Sequence, residues 1–499
     1  MRPRHAALVT LVTLLVVLSG CSFGFQPSEV AGEPQANGTD TPTTAGGPDD
    51  DTSEAVHPPD PETDVLGWED GLWYNETVNV TREEGLNESE RQAVIARTMA
   101  RIEHIRGLEF NETVPVEVVS RSEFRNSSVA QTGNVTDTFR RFDNAKFEAM
   151  FLVGEDEDAL AIQEQNRGTS VLGYYDPRNG TIVLVSEGGN ATIQGESTLA
   201  HELTHALQDQ RFNISQPAPT RETYNAHNGL HEGDAHYTQR QYDTKCTVEW
   251  ECLTQGGSQG GGNQSFHVGI YILNYFPYSD GPGFVSFHRN RGDWDAVNAM
   301  YDDLPASTEQ VIYPDKYQSD EPTDVSIDDG NANGWERVRP EPRRPDSQRP
   351  DYAGLGQSGM TAMFAYTLYD SQNEGNSVVA PSDFLNLENG DINRSDPFDY
   401  DLEYTRGWDG DRVHVYETDG ETAYVWKSVW DSPENASTFA EGYRELLRHY
   451  GGEAVGENTF RIDDGPYADA YRIRVEGDTV VIVNAPTTDD LADVRGDAG

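Results

Sequence analysis

The chain has 499 residues, 35% of them hydrophobic, and carries 86 acidic against 36 basic side chains for a formal net charge of −50. That length suffices for more than one domain core, while the charge speaks against nucleic acid or an anionic surface as partner. The acids run along the whole chain and only Lys146, Lys245, Lys316 and Lys427 are lysines, the surface of a halophilic protein, for which a Debye length of about 3 Å near 1 M salt removes most self-repulsion.

Residues 1–21 read as an export signal. Arg2 and Arg4 precede an apolar run from Ala7 to Val17 that is too short to span a bilayer, and Leu18-Ser19-Gly20-Cys21 forms a lipobox. Cys21 is thus the expected lipid-modified first residue of the mature chain, and the protein is expected at the extracellular face of the cell membrane, held by an N-terminal lipid anchor. An uncleaved N-terminal anchor gives the same topology. Residues 22–62, rich in Pro, Gly, Thr and Asp, read as a disordered tether.

A helix is predicted from an N-cap at Ser89, with Gln92 at N3, through Ile95, Met99, Ile102 and Ile105 to Gly107. Val114 to Val119 reads as a strand. Val171–Tyr175 and Thr181–Val185, joined across Asp176-Pro177-Arg178-Asn179-Gly180, read as a hairpin whose edge is placed to pair with an extended peptide.

Directly after it comes Ser197-Thr198-Leu199-Ala200-His201-Glu202-Leu203-Thr204-His205-Ala206-Leu207. At about 3.6 residues per turn, His201 and His205 share one helix face and reach one metal, while Glu202 stands beside them. This HExxH spacing is a hydrolytic zinc site in outline, with Glu202 as general base. Leu199, Leu203, Ala206 and Leu207 form the apolar stripe of a buried helix. A third ligand is sought in residues 222–243, which hold no Pro and contain Glu232-Gly233-Asp234-Ala235. Glu232 is preferred over His227, His231 and His236, because two His and one Glu form a catalytic zinc set. Asp234 is the candidate partner for orienting an imidazole.

With Cys21 assigned to lipid, Cys246 and Cys252 remain, with five residues between them, and an oxidising exterior suggests one local disulfide. Sequons such as Asn75-Glu76-Thr77 and Asn213-Ile214-Ser215 fit an exported glycoprotein. Gly256 to Gly262 lacks the GKS or GKT ending of a phosphate cradle. Asp, Pro and Arg dominate residues 319–351, read as a linker. Beyond it, Gly356–Tyr369 reads as a helix and Asp411–Tyr416 and Thr422–Trp430 as strands. A helix capped by Ser432 with Pro433 at its first position follows, then strands at Tyr471–Val475 and Thr479–Val483.

Thr198 to Phe212, Glu232-Gly233-Asp234-Ala235, Ser307-Thr308-Glu309-Gln310 and Tyr313-Pro314-Asp315-Lys316-Tyr317 together resemble a gluzincin-type zinc metallopeptidase-like family of secreted bacterial and archaeal proteins. Gly407-Trp408-Asp409-Gly410-Asp411-Arg412 and Trp430-Asp431-Ser432-Pro433 resemble its haloarchaeal surface-lipoprotein branch. The resemblance implies zinc on His201, His205 and Glu232, with Glu202 as base. The better-known gluzincins carry an acid four residues after the ligand Glu, where this chain has His236, and Tyr313 stands where a His is usual. Either side chain can donate to a developing oxyanion.

The expected fold class is therefore α+β. A zincin-like metallopeptidase domain occupies residues 63–318, and a smaller α+β domain occupies 352–499. The expected activity is zinc-dependent hydrolysis of a peptide or protein substrate. The alternative is a non-catalytic surface binding or structural protein that retains the zinc fold. The oligomeric state is not written in the sequence.

Overall fold

The computed structural model describes residues 58–80, 86–132, 135–186, 193, 195–253, 266–340, 350–370, 377–393 and 396–496. The export signal, Cys21, nearly all of the tether and the Gly256–Gly262 run lie outside the described residues. Among those residues, no helix is long and apolar enough to cross a membrane.

The first long helix spans Glu88–Arg106. Its cap is Asn87 rather than Ser89: the Asn87 side chain accepts from the Glu90 amide and the Glu90 carboxylate accepts from the Asn87 amide. A charged carboxylate at N3 is a stronger acceptor than the Gln92 amide that Ser89 would have used. Gly107 closes the helix at φ 67°, a left-handed position that suits glycine. Inward-facing arginines make this helix a brace for the centre of the molecule. Arg97 and Arg101 pair with buried Glu196, and Arg106 pairs with buried Asp234.

Val116–Ser120, Thr181–Ser186 and Gly173–Asp176 form a small sheet in that order, the first two parallel and the last two antiparallel. Gly173–Asp176 is therefore an edge strand, and it lies against the helix Glu196–Phe212. Two helices carry the motif residues: Glu196–Phe212 holds His201, Glu202 and His205, and Arg221–Val248 holds Glu232. The two pack together, with Gly281–Ala299 crossing the second. That crossing needs glycine. A Cβ on Gly233 would come 2.4 Å from the Gly281 carbonyl oxygen, and one on Gly281 would come 2.5 Å from the Gly229 carbonyl oxygen.

The C-terminal part is a seven-stranded antiparallel sheet. Its order is Glu453–Gly456, Thr459–Arg461, Ala470–Glu476, Thr479–Ala485, Glu421–Trp430, Trp408–Thr418, Glu336–Arg337. Successive side chains point to opposite faces of the sheet, and both faces are covered, so consecutive residues 423–426 are all buried. Tyr424 and Trp426 enter the main core, which the amphipathic helix Pro433–His449 covers with Phe439, Tyr443 and Leu446. Ala423 and Val425 face the other way, into a second core closed by Leu491, Val494, Ile327 and Trp335.

Those last two residues come from the segment read as a linker. Of residues 319–351, the described part pairs with the sheet through Glu336–Arg337 and seals its far face. Its polar composition concealed a few large apolar side chains spaced to reach the sheet. The main hydrophobic core likewise runs without a break from Val94 to Ile482. The helix Gly356–Tyr366, placed with the C-terminal domain by sequence, packs on Val268–Ser279 and Arg221–Val248. Asp411 joins the two halves by accepting from the Leu355 and Gly356 amides and from the Trp408 and Trp426 indoles. Lys316 does the same at the surface, bridging Glu309 and Asp431.

Candidate metal centre

The helix carrying His201, Glu202 and His205 begins at Glu196, a buried carboxylate whose partners are supplied in full. Arg97, Arg101 at 2.9 Å and the Tyr242 hydroxyl bind its oxygens, and the Leu253 amide donates at 3.0 Å. Cys246 and Cys252 form a disulfide with Cα atoms 5.6 Å apart. It ties the end of the Arg221–Val248 helix to the segment that pairs with Glu196, so both motif helices share one anchor.

From that anchor the two helices present four buried groups: His201 is 4% exposed, Glu232 1%, and Glu202 and His205 are fully buried. The His201 Nδ1–H donates to Gln239 Oε1 at 3.2 Å and the His205 Nδ1–H to Gln208 Oε1 at 2.9 Å. Each glutamine is held in that orientation by its own amide nitrogen. Gln208 Nε2 donates to the His231 carbonyl at 2.9 Å, and Gln239 Nε2 donates to the Ser197 hydroxyl at 2.9 Å. With Nδ1–H committed to the glutamines, each imidazole in its neutral form presents an Nε2 lone pair.

Those lone pairs converge. His201 Nε2 and His205 Nε2 are 3.1 Å apart, and Glu232 Oε2 lies 3.2 and 3.3 Å from them. Bond lengths of about 2.0 to 2.2 Å at tetrahedral angles place ligand atoms roughly 3.3 Å apart, so this triangle has the dimensions of one face of a tetrahedral zinc site. The other Glu232 oxygen accepts from the Tyr278 hydroxyl at 2.9 Å, which fixes the carboxylate's rotation. In the metal-free protein, burial lowers the His205 imidazole but the Glu232 and Glu202 carboxylates outweigh it, and the group is raised to about 9. Burial raises the Glu232 carboxyl, but His205 and His201 hold it well below the usual carboxylate range.

Glu202 projects beside this triangle toward the small sheet. A Cβ on Gly173 would stand 3.2 Å from Glu202 Oε1 and 2.9 Å from a Leu184 methyl. Glycine at the start of the edge strand is what lets the carboxylate lie against the strand backbone.

The competing histidines stay apart from the triangle's ligand atoms. His231 stacks on Tyr301 with centroids 5.7 Å apart, and burial together with His227 and His205 lowers it to about 3. Burial lowers His227 to about 4. His236 stands edge-on to His201 and Tyr278, at 4.9 and 5.2 Å between ring centroids.

Asp234 does not orient an imidazole. It binds Arg106 at 3.0 Å and the Tyr301 hydroxyl at 2.7 Å, because two residues past Glu232 the helix has turned its side chain away from the metal face and toward the first helix. Gln208 and Gln239 fill the role assigned to it. Both lie at helical spacing from a motif residue, three after His205 and seven after Glu232, and that spacing was the available signal. Tyr278 and Gly173 carried none. The Tyr313 hydroxyl donates to Asp401 and accepts from Gln357, so its proton is committed there and not to an oxyanion.

A family profile described as a domain of unknown function (DUF8575) matches residues 342–495, the region of the C-terminal sheet. That match covers less than a third of the chain and leaves both motif helices outside it. No curated protein and no solved structure matches the chain.

Proposed function

We propose that this protein is a cell-surface, lipid-anchored zinc metallopeptidase. The observation that carries the reading is the buried triangle of His201 Nε2, His205 Nε2 and Glu232 Oε2, braced by two oriented glutamines and flanked by Glu202 on the same helix. Zinc bound there would lower the pKa of a water to about 7 and polarise a substrate carbonyl. Glu202 takes the proton from the attacking water and delivers it to the leaving amine. The open edge of Gly173–Asp176, against which Glu202 lies, offers backbone groups to an extended peptide. Membrane attachment rests on the lipobox at Cys21.

The test is Glu202→Gln, with zinc content and peptide cleavage measured on one preparation in multimolar salt. We expect an unchanged zinc content and turnover lower by about 10² to 10⁴. Full activity in a zinc-replete variant would sink the mechanism, and a wild type inert toward a broad peptide library would favour a non-catalytic binding protein.

A further inference from the structure

Away from the metal centre, the helix Asp137–Ala149 ends against the C-terminal sheet. The chain that follows it is inserted there. Phe151, at φ 51°, stacks on Tyr450 and Tyr471, and the Glu155 amide donates to the Pro466 carbonyl at 3.0 Å. A Cβ on Gly154 would come 2.5 Å from Pro466, so the loop has one way to lie. This seat brings Glu148, Glu155 and Asp469 together, with one carboxylate oxygen from each within 4.8 Å of the others.

Like charges this close repel unless a proton or a cation joins them. Glu148 is 4% exposed, and its Oε1 is completely buried with no hydrogen-bond partner among the described residues. Beside it, fully buried Asn484 donates to Asp469 at 2.6 Å and leaves its own Oδ1 without a partner. Glu421 and Asp156 add to the negative field on Glu155. Asp469 and Glu155 share a hydrogen bond and Asp469 feels the Arg461 charge, but among the described residues no lysine or arginine forms an ion pair with any of the three. The acidic cluster of Glu309, Asp320 and Asp431 is a useful contrast, since the Lys316 ammonium sits 2.6, 2.8 and 3.0 Å from its three carboxylates. There the protein supplies its own cation.

We propose that Glu148, Glu155 and Asp469 bind a calcium ion that fastens the inserted loop to the C-terminal sheet. The ligands are all oxygens and converge from two stretches of chain, residues 148–155 and Asp469. Oxygens at about 2.3 to 2.6 Å from one calcium lie within roughly 5 Å of each other. Glu155 stands at the solvent edge, which gives the ion an entrance and leaves room for water to complete a shell of about six to eight ligands. Burial, followed by Asp469 and Glu155, raises Glu148 well above its ordinary value. The site is independent of the peptidase reading.

The test uses the full chain in multimolar KCl, stripped of metal, reloaded with one equivalent of zinc and titrated with CaCl2. Wild type is expected to retain one more calcium per chain than Glu148→Gln or Glu155→Gln. Its melting temperature should rise by about 3 °C once calcium exceeds its Kd about 100-fold, with a smaller rise for magnesium. In calcium-free buffer both variants should melt at or above wild type, because each removes a carboxyl whose ionisation its acidic neighbours oppose. Should Glu148→Gln fail to fold, Glu155→Gln at the rim carries the comparison. Equal calcium content in wild type and variants, or the same calcium-induced shift in all of them, overturns the proposal. An equal or larger shift with magnesium overturns the choice of ion.

Discussion

Glu232 and Glu148 are both withdrawn from water, and burial works against the charge of each. What differs is the company. Glu232 Oε2 faces two imidazoles at 3.2 and 3.3 Å and its other oxygen accepts from Tyr278, so its carboxyl is held far down. Glu148 faces Asp469 and Glu155 with no donor to its Oε1, and its carboxyl is driven far up. The same side chain in the same low-polarity surroundings is thus pushed in opposite directions by the charges that stand beside it. Depth alone says little about what a buried acid does.

The largest break in that comparison removes the Glu232 charge. Glu232→Gln should weaken zinc binding by at least about 100-fold, since a neutral amide replaces the anionic ligand, and cleavage should fall with zinc occupancy. Zinc analysis at equilibrium is the check, and wild-type affinity would mean that Glu232 is not a ligand. Next in size, Asp234→Ala leaves Arg106 buried without its carboxylate, with Asn298 as its remaining acceptor, and should cost about 3 to 5 kcal/mol. Denaturant unfolding at constant salt reads this, and a loss below about 1 kcal/mol would show that Asp234 contributes no bracing. Smaller still, Gln239→Ala frees the His201 Nδ1–H and should loosen zinc by about 10 to 100-fold with the fold retained. An unchanged zinc affinity would remove the glutamine from the site.

Much of the centre could be read from sequence because it is written in local periodicity. His201, Glu202 and His205 need only the helical repeat, and the strands of the C-terminal sheet announce themselves by runs of β-branched and aromatic residues, as at Thr422–Trp430. Glu232 needed an argument about ligand type, because nothing local says that the Arg221–Val248 helix returns beside the first. Asp234 was misread for the related reason that a partner's identity depends on which helix faces it. The packed stretch through Ile327 and Trp335 was hidden by acidic and proline-rich surroundings, and Glu148, Glu155 and Asp469 meet only because residues 150–155 insert into a sheet more than 250 positions away. Contacts closed by tertiary structure leave no spacing to read.

The finest effect concerns a single proton. In the metal-free protein His205 is raised to about 9, since Glu232 and Glu202 outweigh the opposing effect of burial, against roughly 6.5 for an unfolded histidine. A raised value means that this imidazole's stabilisation of the metal-free fold is complete below about pH 6.5 and is lost as the pH climbs through about 9. A ligating Nε2 must be unprotonated, so zinc entering inside that window has to expel the proton. Calorimetric titration of metal-free protein with zinc at pH 7.5, repeated in buffers of different ionisation enthalpy, should therefore report about one proton released per zinc. The release should shrink toward zero when the titration is repeated above about pH 9.5. No release at pH 7.5 would mean that His205 is already neutral beside Glu232, and the contrast between the two buried glutamates would then lose its imidazole half.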